Sequence, residues 1–514
     1  MTRYAVSSCP TVAAKIVPVL VFLVVSFSGT AFGVQAQQAT SSAAEDPIQS
    51  LAKKIEELNT TIQELRSEIS QYRQETREIR EELGRAKDTT VPAISDAVQK
   101  EQTTSTDRLS QIEENQQLLA DKIDEQYQTK VESASRYRMK LSGMVLFNAF
   151  ANRGRVENQD APNIALRRGP TDTSGDFGAT FRQSQLGFEV YGPAVGGARA
   201  SGDLRLDFFG GFPTTSNGTT AGLIRLRTGT IRLDWPRTSI IVGQDSPFFS
   251  PLSPSSIASL GYPEFSYSGN LWTWTPQARV EHRLNLSESH RISLQGGLLD
   301  PLVGNVPYSQ FYRTPQAGEK SRQPAYASRV AWMHGDSDQI LIIGIGSYYS
   351  RQNYGAGRTE DAWASTADWN VPFGNHFALS GEFYRGRGLG GLGAAQDRSV
   401  LFKGPETDPL SSLVGLNVIG GWAQFTYKAT STVDFNAAYG QDNPFGRDLR
   451  YLRYVDVATQ EYPAIRRNQS SMFNMIYKPR TGLLLSLEYR HLNTLTLSGR
   501  NTANHVNLGV GVLF

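Results

Sequence analysis

The sequence predicts an all-β transmembrane barrel of about sixteen antiparallel strands, preceded by an α-helical coiled coil. Three observations lead to this fold class. From Met139 to the end of the chain, apolar and polar residues alternate with a period of two, which is typical of strands whose two faces contact different environments. The connections between these segments alternate between short and long, as they do in membrane barrels. Before Met139, apolar residues recur instead at the heptad spacing of a coiled coil.

The composition is compatible with such a barrel. The chain has 514 residues, a formal net charge of +2 and a mean hydropathy of −0.36. Because a barrel distributes its apolar residues in alternation, a low average hydropathy does not exclude a membrane protein. The near-neutral charge argues against a nucleic-acid partner. The single cysteine, Cys9, precedes the first apolar run, so we expect no disulfide and no lipid anchor in the mature chain.

Residues 1–36 have the pattern of a secretory signal peptide. Arg3 and Lys15 precede an apolar run over 16–27, and small residues at 34–36 provide a cleavage site. We expect a signal peptide at 1–36, followed by a linker rich in Gln, Ala and Ser at 37–47.

The predicted coiled coil covers residues 48–135 and is strongest from Ile48 to Leu83. Isoleucine or leucine occupies most a and d positions of an unbroken heptad there, which gives the helix one narrow apolar seam. Glutamates at g lie five residues before arginine or lysine at e, a spacing that pairs parallel neighbouring chains. We expect this seam to form an oligomer through Ile48, Leu51, Ile55, Leu58, Ile62, Leu65 and Ile69.

Gly84 and Pro92 interrupt this pattern, because proline removes a backbone donor and disfavours a helical residue before it. A weaker heptad continues from Ile94 to Ile123, with glutamine and serine diluting its seam. For this second part, a lone solvated helix and a flexible tether remain alternatives to the coiled coil.

The predicted barrel covers residues 139–514. An even number of strands brings both of its ends to the same side, with the long loops on the other side. The strand candidates are 139–150, 179–191, 199–209, 223–235, 238–245, 272–285, 289–299, 324–335, 338–350, 361–371, 375–388, 417–428, 432–442, 469–478, 482–494 and 503–514. The expected long loops are 151–178, 210–222, 246–271, 300–323, 351–360, 389–416, 443–468 and 495–502. Aromatic residues at the short turns suggest an interfacial girdle: Tyr191, Trp235, Trp332, Trp369, Tyr427 and Tyr477.

The last strand candidate ends on an aromatic residue. Val506, Leu508 and Val510 share one face with Phe514, and this ending resembles the C-terminal signal of bacterial outer-membrane β-barrels. The resemblance implies that the barrel-assembly machinery recognises Phe514.

Charged residues occupy the face opposite the apolar one in several strand candidates. Arginine or lysine facing hydrocarbon at mid-depth costs roughly 2–4 kcal/mol, so these side chains are expected to face a hydrated lumen. Within 223–235, Arg225 and Arg227 have the parity of Ile231, and a β-bulge near 228–230 would restore the register. The candidate lumen residues are Arg199, Arg205, Arg279, Arg283, Arg291, Arg329 and Arg490. Because acids such as Asp203, Asp207 and Glu281 share the wall, two interpretations stay open: anion selection, and a mixed wall that is merely hydrated.

No motif proposes catalysis or a cofactor. Gly388, Gly390 and Gly393 have the spacing G-x-G-x-x-G, but they lie in a glycine-rich loop rather than between a strand and a helix. The six histidines show no metal-binding spacing, and no G-x-S-x-G motif occurs. We therefore expect no enzyme, no metal and no cofactor.

The whole layout, a coiled coil followed by about sixteen alternating strands ending in Phe514, resembles the phosphate-selective porin O/P and DcaP-like family of outer-membrane porins. The resemblance implies a trimeric, sixteen-stranded channel for small, often anionic solutes, narrowed by a third outer loop that folds inward. Here that loop is 246–271, and its candidate constriction residues are Ser255, Tyr262 and Glu264. The dense lysine cluster of the phosphate-specific members does not occur, so phosphate itself is not implied.

The expected function is therefore passive diffusion of small hydrophilic solutes, anions possible among them, through a porin of the bacterial outer membrane, with the coiled coil in the periplasm. The expected partners are outer-membrane lipid, small solutes and copies of the same chain. Isoleucine at a with leucine at d favours two strands, whereas the resemblance implies a trimer, which we expect. Two other functions stay open: a tether between outer membrane and peptidoglycan, and a barrel enzyme with a Ser/His pair on its lipid-facing surface.

Overall fold

The computed structural model describes residues 138–213, 222–304, 313–335, 339–451 and 465–514. The predicted signal peptide, linker and coiled coil lie outside the described residues, as do the seven seam residues from Ile48 to Ile69. The described ranges belong to the predicted barrel.

The described part of the chain consists almost entirely of β-strands. These are β1 (Arg138–Arg153), β2 (Arg155–Val156), β3 (Ala165–Leu166), β4 (Gly175–Thr180), β5 (Gln185–Val195), β6 (Ala198–Asp207), β7 (Arg225–Asp234), β8 (Thr238–Asp245), β9 (Thr275–Asn285), β10 (His290–Leu299), β11 (Ala325–His334), β12 (Leu341–Asn353), β13 (Thr359–Phe373), β14 (Phe377–Arg387), β15 (Val400–Phe402), β16 (Leu413–Gly415), β17 (Asn417–Lys428), β18 (Val433–Pro444), β19 (Ile465–Arg480), β20 (Leu483–Thr496) and β21 (Gly499–Leu513). The described helices are α1 (Gly446–Leu449) and two 3-10 turns, Glu319–Ser321 and Gly390–Leu392. None of the helices in the described ranges has the length and apolar character needed to cross a membrane.

The strands form a closed antiparallel barrel. One edge of β1 pairs with β21, and its other edge pairs first with β5 and then with β4, so the sheet returns to its starting strand. Because β4 and β5 follow one another along β1, they share one position in the ring. The described sheet of seventeen strands therefore has sixteen positions, which confirms the predicted barrel.

The predicted strand 179–191 is wrong as a continuous element. It is interrupted at 181–184, between β4 and β5. At this break the Ser184 hydroxyl replaces the missing ladder bonds, accepting from Leu146 N at 2.9 Å and donating to Leu146 O at 3.3 Å. The interruption frees the side chain of Gln183 to turn into the barrel.

The two faces of the strands differ as the alternation predicts. On β21, Val506, Leu508 and Val512 are 44–50% exposed on the outer face. Asn507, between two of them, is only 1% exposed because it points inward among other side chains. An apolar outer face and a polar inner face are what a barrel in lipid requires.

The two ends of the barrel differ in their connections. Seven short turns lie at one end, here called the turn end, and eight connections lie at the other, the loop end. The loop-end connections are L1 (154–174), L2 (208–224), L3 (246–274), L4 (300–324), L5 (354–358), L6 (388–416), L7 (445–464) and L8 (497–498). The expected long loop at 495–502 is wrong, because β20 and β21 continue into it and leave a two-residue turn.

L3 and L6 fill one side of the barrel interior with an apolar cluster. Phe249 of L3 stacks on Tyr348 of β12 with ring centroids 5.2 Å apart. At Gly269 the L3 backbone approaches β17 so closely that an added Cβ would lie 2.2 Å from Gly421 O, so only glycine fits. The cluster includes Phe248, Phe249, Leu271, Leu299, Tyr348, Tyr384, Leu389, Leu392, Leu401, Leu416, Val418 and Leu449.

Candidate channel lumen

L3 crosses the inside of the barrel. It leaves the wall after β8, and inward-facing side chains of strands far from β8 form hydrogen bonds with it. Because backbone N–H and C=O groups buried in a lumen need partners, these side chains fix the path of the loop. The bonds join Ser250 and Leu252 to Glu382, Phe249 O to Thr366, Ser255 to Gln424 and Asn474, Ser256 to Glu488, and Ile257 O to Asn148.

Gln183, in the break between β4 and β5, holds a further part of L3. Its Nε2 donates to Ala258 O at 2.9 Å, and its Oε1 accepts from Leu260 N at 2.6 Å and Gly261 N at 3.0 Å. Gln183 is fully buried. The break between β4 and β5 thus provides an anchoring point for L3.

Of the three L3 residues predicted at a constriction, Glu264 is sealed in an ion-pair cluster. Its carboxylate contacts Arg490, whose Nη2 is also 2.7 Å from Glu488 Oε1 and whose Nη1 donates to Pro162 O at 2.8 Å. Glu264 and Arg490 are each 1% exposed. Arg490 is therefore shared by two carboxylates, and Glu264 is buried against the wall of β20.

Ser255 and Tyr262 lie elsewhere on the loop. Ser255 N donates to Gln424 Oε1 at 2.7 Å, and Ser255 O accepts from Asn474 at 2.8 Å. The ring of Tyr262 packs edge-on against Phe209 at 5.1 Å and Trp272 at 5.3 Å. The three predicted residues thus have different contacts: Ser255 with β17 and β19, Tyr262 with aromatic rings, and Glu264 with Arg490.

An open cavity of about 590 Å³ lies along the inner wall of β5 to β9, and the first and last residues of L3, Ser246 and Trp274, complete its lining. This is the side of the barrel that the apolar cluster leaves free. Its charged lining residues are Glu189, Asp203, Arg205, Arg227, Arg232, Asp245 and Arg279, and its other lining residues include Gln185, Ser201, Thr230 and Trp274.

A β-bulge in β7 adds arginines to this cavity. Leu206 pairs with Leu226 and Arg205 with Thr228, so Arg227 has no partner on β6. The bulge predicted near 228–230 is confirmed, one residue earlier. It lets Arg225 and Arg227 point inward while Ile231, 67% exposed, points outward.

The two bulge arginines share a single carboxylate. Asp207 is fully buried, with its Oδ2 2.7 Å from Arg225 Nη2 and 3.5 Å from Arg227 Nε. Among the described residues, Arg227 Nε has no hydrogen-bond partner. Both guanidiniums lie about equally near the ring of Trp274, at 4.8 and 5.0 Å. The bulge therefore carries one positive charge more than its carboxylate compensates.

The seven arginines predicted in the lumen fall into three groups. Arg205 and Arg279 line the cavity, where Arg205 pairs with Asp203 at 3.3 Å and Arg279 with Asp245 at 2.8 Å. Arg329 and Arg490 are buried in ion pairs away from the cavity, Arg329 with both oxygens of Asp368 and Arg490 as described above. Arg199, Arg283 and Arg291 have the inward parity near the turn end, and Arg283 donates to Ser239 at 3.0 Å.

The inward-facing charged residues of β5 to β10 include slightly more arginines than acids. Sequence reasoning identifies Arg225 and Arg227 only as a register problem and misses Arg232. It also places Trp274 on the apolar outer face of the candidate 272–285, which is wrong because Trp274 precedes the strand and lines the cavity. The broken alternation in β7 is the available signal for Arg225 and Arg227. The arginines of these strands are 199, 205, 225, 227, 232, 279, 283 and 291, and the acids are Glu189, Asp203, Asp207, Asp234, Asp245 and Glu281.

No group of three or more His, Cys, Asp or Glu residues that could hold a metal occurs within the described ranges. No protein-family model and no curated protein matches the sequence.

Solved structures do match. The outer-membrane channel DcaP of Acinetobacter baumannii matches with a TM-score of 0.56 and 17% identity, covering 74% of this chain and 99% of that chain. An anion-selective porin from Comamonas acidovorans has a TM-score of 0.47 and 12% identity, covering 74% and 100%. OprB of Pseudomonas putida has a TM-score of 0.45 and 12% identity, covering 73% and 94%. The likeness to DcaP shows the fold: the described residues form a sixteen-stranded barrel like that of this channel.

Proposed function

We propose that the protein is an outer-membrane porin that lets small hydrophilic solutes diffuse passively. The main support for this proposal is the open, charged cavity of about 590 Å³ along the inner wall of β5 to β9. Charged side chains in such numbers need water around them, because burying an unpaired charge is costly. The apolar outer face suits lipid, and the hydrated inner wall suits a solute path. The likeness to DcaP supports kinship with the DcaP-like and phosphate-selective porin O/P family.

L3 is proposed as the constriction. Its hydrogen bonds to β1, β13, β14, β17, β19 and β20 hold it across the lumen, and the cavity is what it leaves open. Since Glu264 is buried against Arg490, the charges that a solute would meet are those of the opposite wall. A solute would therefore pass beside the arginines of β6, β7 and β9.

Weak preference for anions is proposed from these charges. In a confined lumen, wall charges are poorly screened and set ion selectivity. Eight inward arginines stand against six acids on β5 to β10, so the excess is small. A mixed wall that is merely hydrated is the alternative. The reversal potential under a potassium chloride gradient distinguishes them: anion preference supports selection, and a ratio near one supports the hydrated wall.

Assembly is proposed to follow the family. The heptads from Ile48 to Ile69, in the periplasm, would join three copies, and Phe514 would be recognised by the barrel-assembly machinery. In the closed barrel the backbone of Phe514 pairs with Gly143 of β1, with N···O distances of 2.9 and 3.1 Å. Phe514 thus extends the pairing of β1 with β21 that closes the barrel.

One serine and one histidine on the outer face of the barrel bear on the enzyme alternative. Ser471 and His491 lie directly opposite one another on the outer face of β19 and β20, and His491 Nδ1 is 2.8 Å from Asn504 Oδ1. No hydrogen bond joins Ser471 to His491 in the described structure, so nothing activates the hydroxyl in this geometry. We expect ester hydrolysis no faster than that of Ser471→Ala. Faster hydrolysis that this substitution abolishes would favour the enzyme.

Conductance in a planar bilayer is the deciding experiment. The purified full-length protein should give discrete steps whose size grows with salt concentration. A tether or an enzyme with a plugged barrel would give none. Heat-denatured protein is the control for leakage caused by detergent.

A further inference from the structure

We infer that the loop end of the barrel binds the phosphate group of a membrane lipid between Arg385 of β14 and Arg447 of L7. This inference rests on the proposed function in one respect, namely that the barrel spans a membrane. The ligand class is a phosphorylated lipid of the leaflet at the loop end.

Arg385 points outward, toward lipid. Its strand neighbours Glu382 and Tyr384 point inward, being 2% and 1% exposed, so alternation puts Arg385 on the outer face. Its guanidinium carbon lies 5.4 Å from the ring of Trp363, which is on the outer face of β13 and 37% exposed.

Two guanidiniums converge on one aromatic ring there. Arg385 Cζ is 4.4 Å and Arg447 Cζ is 5.5 Å from the ring centroid of Phe445. Cation–π contact orients both groups without neutralising either of them. Two like charges near one ring repel each other, and an anion that contacts both would offset this repulsion.

The nearby acids offset only part of this positive charge. Arg385 donates to neutral acceptors: Gly386 O, Val418 O at 3.1 Å and Asn417 Oδ1 at 2.9 Å. Asp448 is buried, and its Oδ2 already accepts from both nitrogens of Asn417, at 3.1 and 2.9 Å. Arg447 lies 3.6 Å from the other oxygen of Asp448, while its side chain is 65% exposed.

Glu360 is committed to Arg387, with an Nε–Oε1 distance of 2.5 Å. Glu360 is thus occupied by another partner, whereas Asp448 offsets one of the two guanidinium charges, so the pair formed by Arg385 and Arg447 keeps one positive charge.

The position along the strands matches the level of lipid headgroups. On β13 the outer face runs from Trp363 to Phe373, and ten residues at about 3.3 Å each, tilted by about 40°, cover roughly 25 Å of membrane depth. This is the height of the apolar band of such barrels, so Trp363 marks its upper edge. Arg385 and Arg447 contact the rings at that edge, where phosphates of lipids lie. Arginine binds phosphate oxygens with two parallel hydrogen bonds, which suits a pair of guanidiniums.

The test uses the full-length protein purified in detergent and the diphosphorylated glycolipid lipid A as probe. Native mass spectrometry should detect lipid A bound to the unaltered protein, and Arg385→Gln/Arg447→Gln should weaken that binding roughly tenfold or more. Arg480→Gln, which removes an exposed arginine at the turn end, is the matched control and should bind as the unaltered protein does. Equal retention of lipid A by the double variant would overturn the inference.

Two further measurements distinguish a lipid site from a free-anion site, and lipid binding from the channel function. Millimolar inorganic phosphate should leave the bound lipid in place, because it lacks acyl chains. Displacement by phosphate alone would overturn a lipid site in favour of a free-anion site. Conductance of the double variant should equal that of the unaltered protein, since neither arginine lines the cavity. Lipid binding that depends on the two arginines in a protein that does not conduct would support this inference while the channel proposal fails.

Discussion

Arg227 has charge that no carboxylate of the described wall fully compensates, because Asp207 is nearer to Arg225. Its side chain is 18% exposed and lines the cavity. A single residue at a bulge therefore carries much of the positive excess that the proposed anion preference requires.

Arg227→Gln should shift the reversal potential toward that of a non-selective pore, because it brings the inward charges of β5 to β10 closer to balance. Arg351→Gln is the matched control, since Arg351 lies on the outer face of β12 and is 47% exposed. A reversal potential that changes equally in both variants would contradict an effect of the cavity wall.

Asp207→Asn should change the anion preference in the opposite direction. The substitution keeps the shape but leaves two guanidiniums without their shared carboxylate, so anion preference should rise. Breaking a buried pair is also costly, roughly 3–5 kcal/mol, and the thermal midpoint of the folded barrel should fall. An unchanged reversal potential in a folded Asp207→Asn protein would count against the charge argument.

Protonation of Glu157 makes the stability of L1 depend on pH. Burial raises the pKa of Glu157 from 4.5 to about 7, although its oxygens accept from Asn163 N at 2.7 Å and Ile164 N at 2.8 Å. The folded state then binds a proton that the unfolded state has released, so L1 loses stability as the pH rises from about 4.5 to about 7. Hydrogen exchange of the two amides, measured against Glu157→Gln at each pH, should show protection that declines in this window only in the unaltered protein.

Parity along the strands predicts which residues turn inward, yet it does not predict their partners. Arg490 and Glu264 come from β20 and L3, distant in sequence, and no local pattern signals that they meet. Sequence reasoning could therefore list inward arginines but could not separate the compensated Arg329 and Arg490 from Arg205 and Arg279 in the cavity. That separation depends on tertiary contacts.

At the scale of elements, the break between β4 and β5 fixes L3. Gln183→Ala removes three hydrogen bonds and leaves the N–H groups of Leu260 and Gly261 buried without their partner, a loss of about 1–3 kcal/mol in local stability for each. These two amides should exchange faster with solvent, and single-channel current should become noisier. Gln469→Ala on the outer face is the control. Unchanged exchange and noise would show that L3 does not depend on Gln183.

The strands themselves were accessible to sequence analysis because one face of each contacts lipid. Two candidates, 238–245 and 417–428, have the observed bounds, and the other barrel strands differ mainly at their ends. The break at 181–184 was not predicted, although the sequence signals it: apolar residues fall at odd positions up to Phe181 and at even positions from Leu186 onward. What interrupts the ladder is tertiary: the Ser184 hydroxyl bonds to β1, and Arg182 pairs with Asp160 of L1 at 2.6 Å.

At the scale of the molecule, the first described strand begins at Arg138, and the described strands close into a ring. Deletion of residues 45–130 should therefore leave a barrel that inserts and conducts, because none of the described strands lies in the deleted part. Heat-dependent mobility on a denaturing gel and bilayer conductance are the measurements. Loss of both would show that the barrel depends on the preceding segment.

The same deletion tests the oligomer. If the seam from Ile48 to Ile69 joins three copies, the mass of the unaltered protein in detergent should correspond to a trimer. Three-fold packing between barrel walls could persist without the seam, so the truncated protein distinguishes the two sources of association. A monomeric or dimeric mass for the unaltered protein would contradict the trimer.

The pairing of β1 with β21 also determines when this chain can finish folding. The two strands that close the ring are the first and last of the barrel, so their contacts span nearly the whole described sequence. Closing so large a loop is slow, because its entropy is lost before its contacts form. Until then the chain exposes two unpaired edges, which pair readily with strands of other molecules. The pairing of β21 with β1 is therefore the step that completes the barrel. The chain is most prone to aggregation before that step.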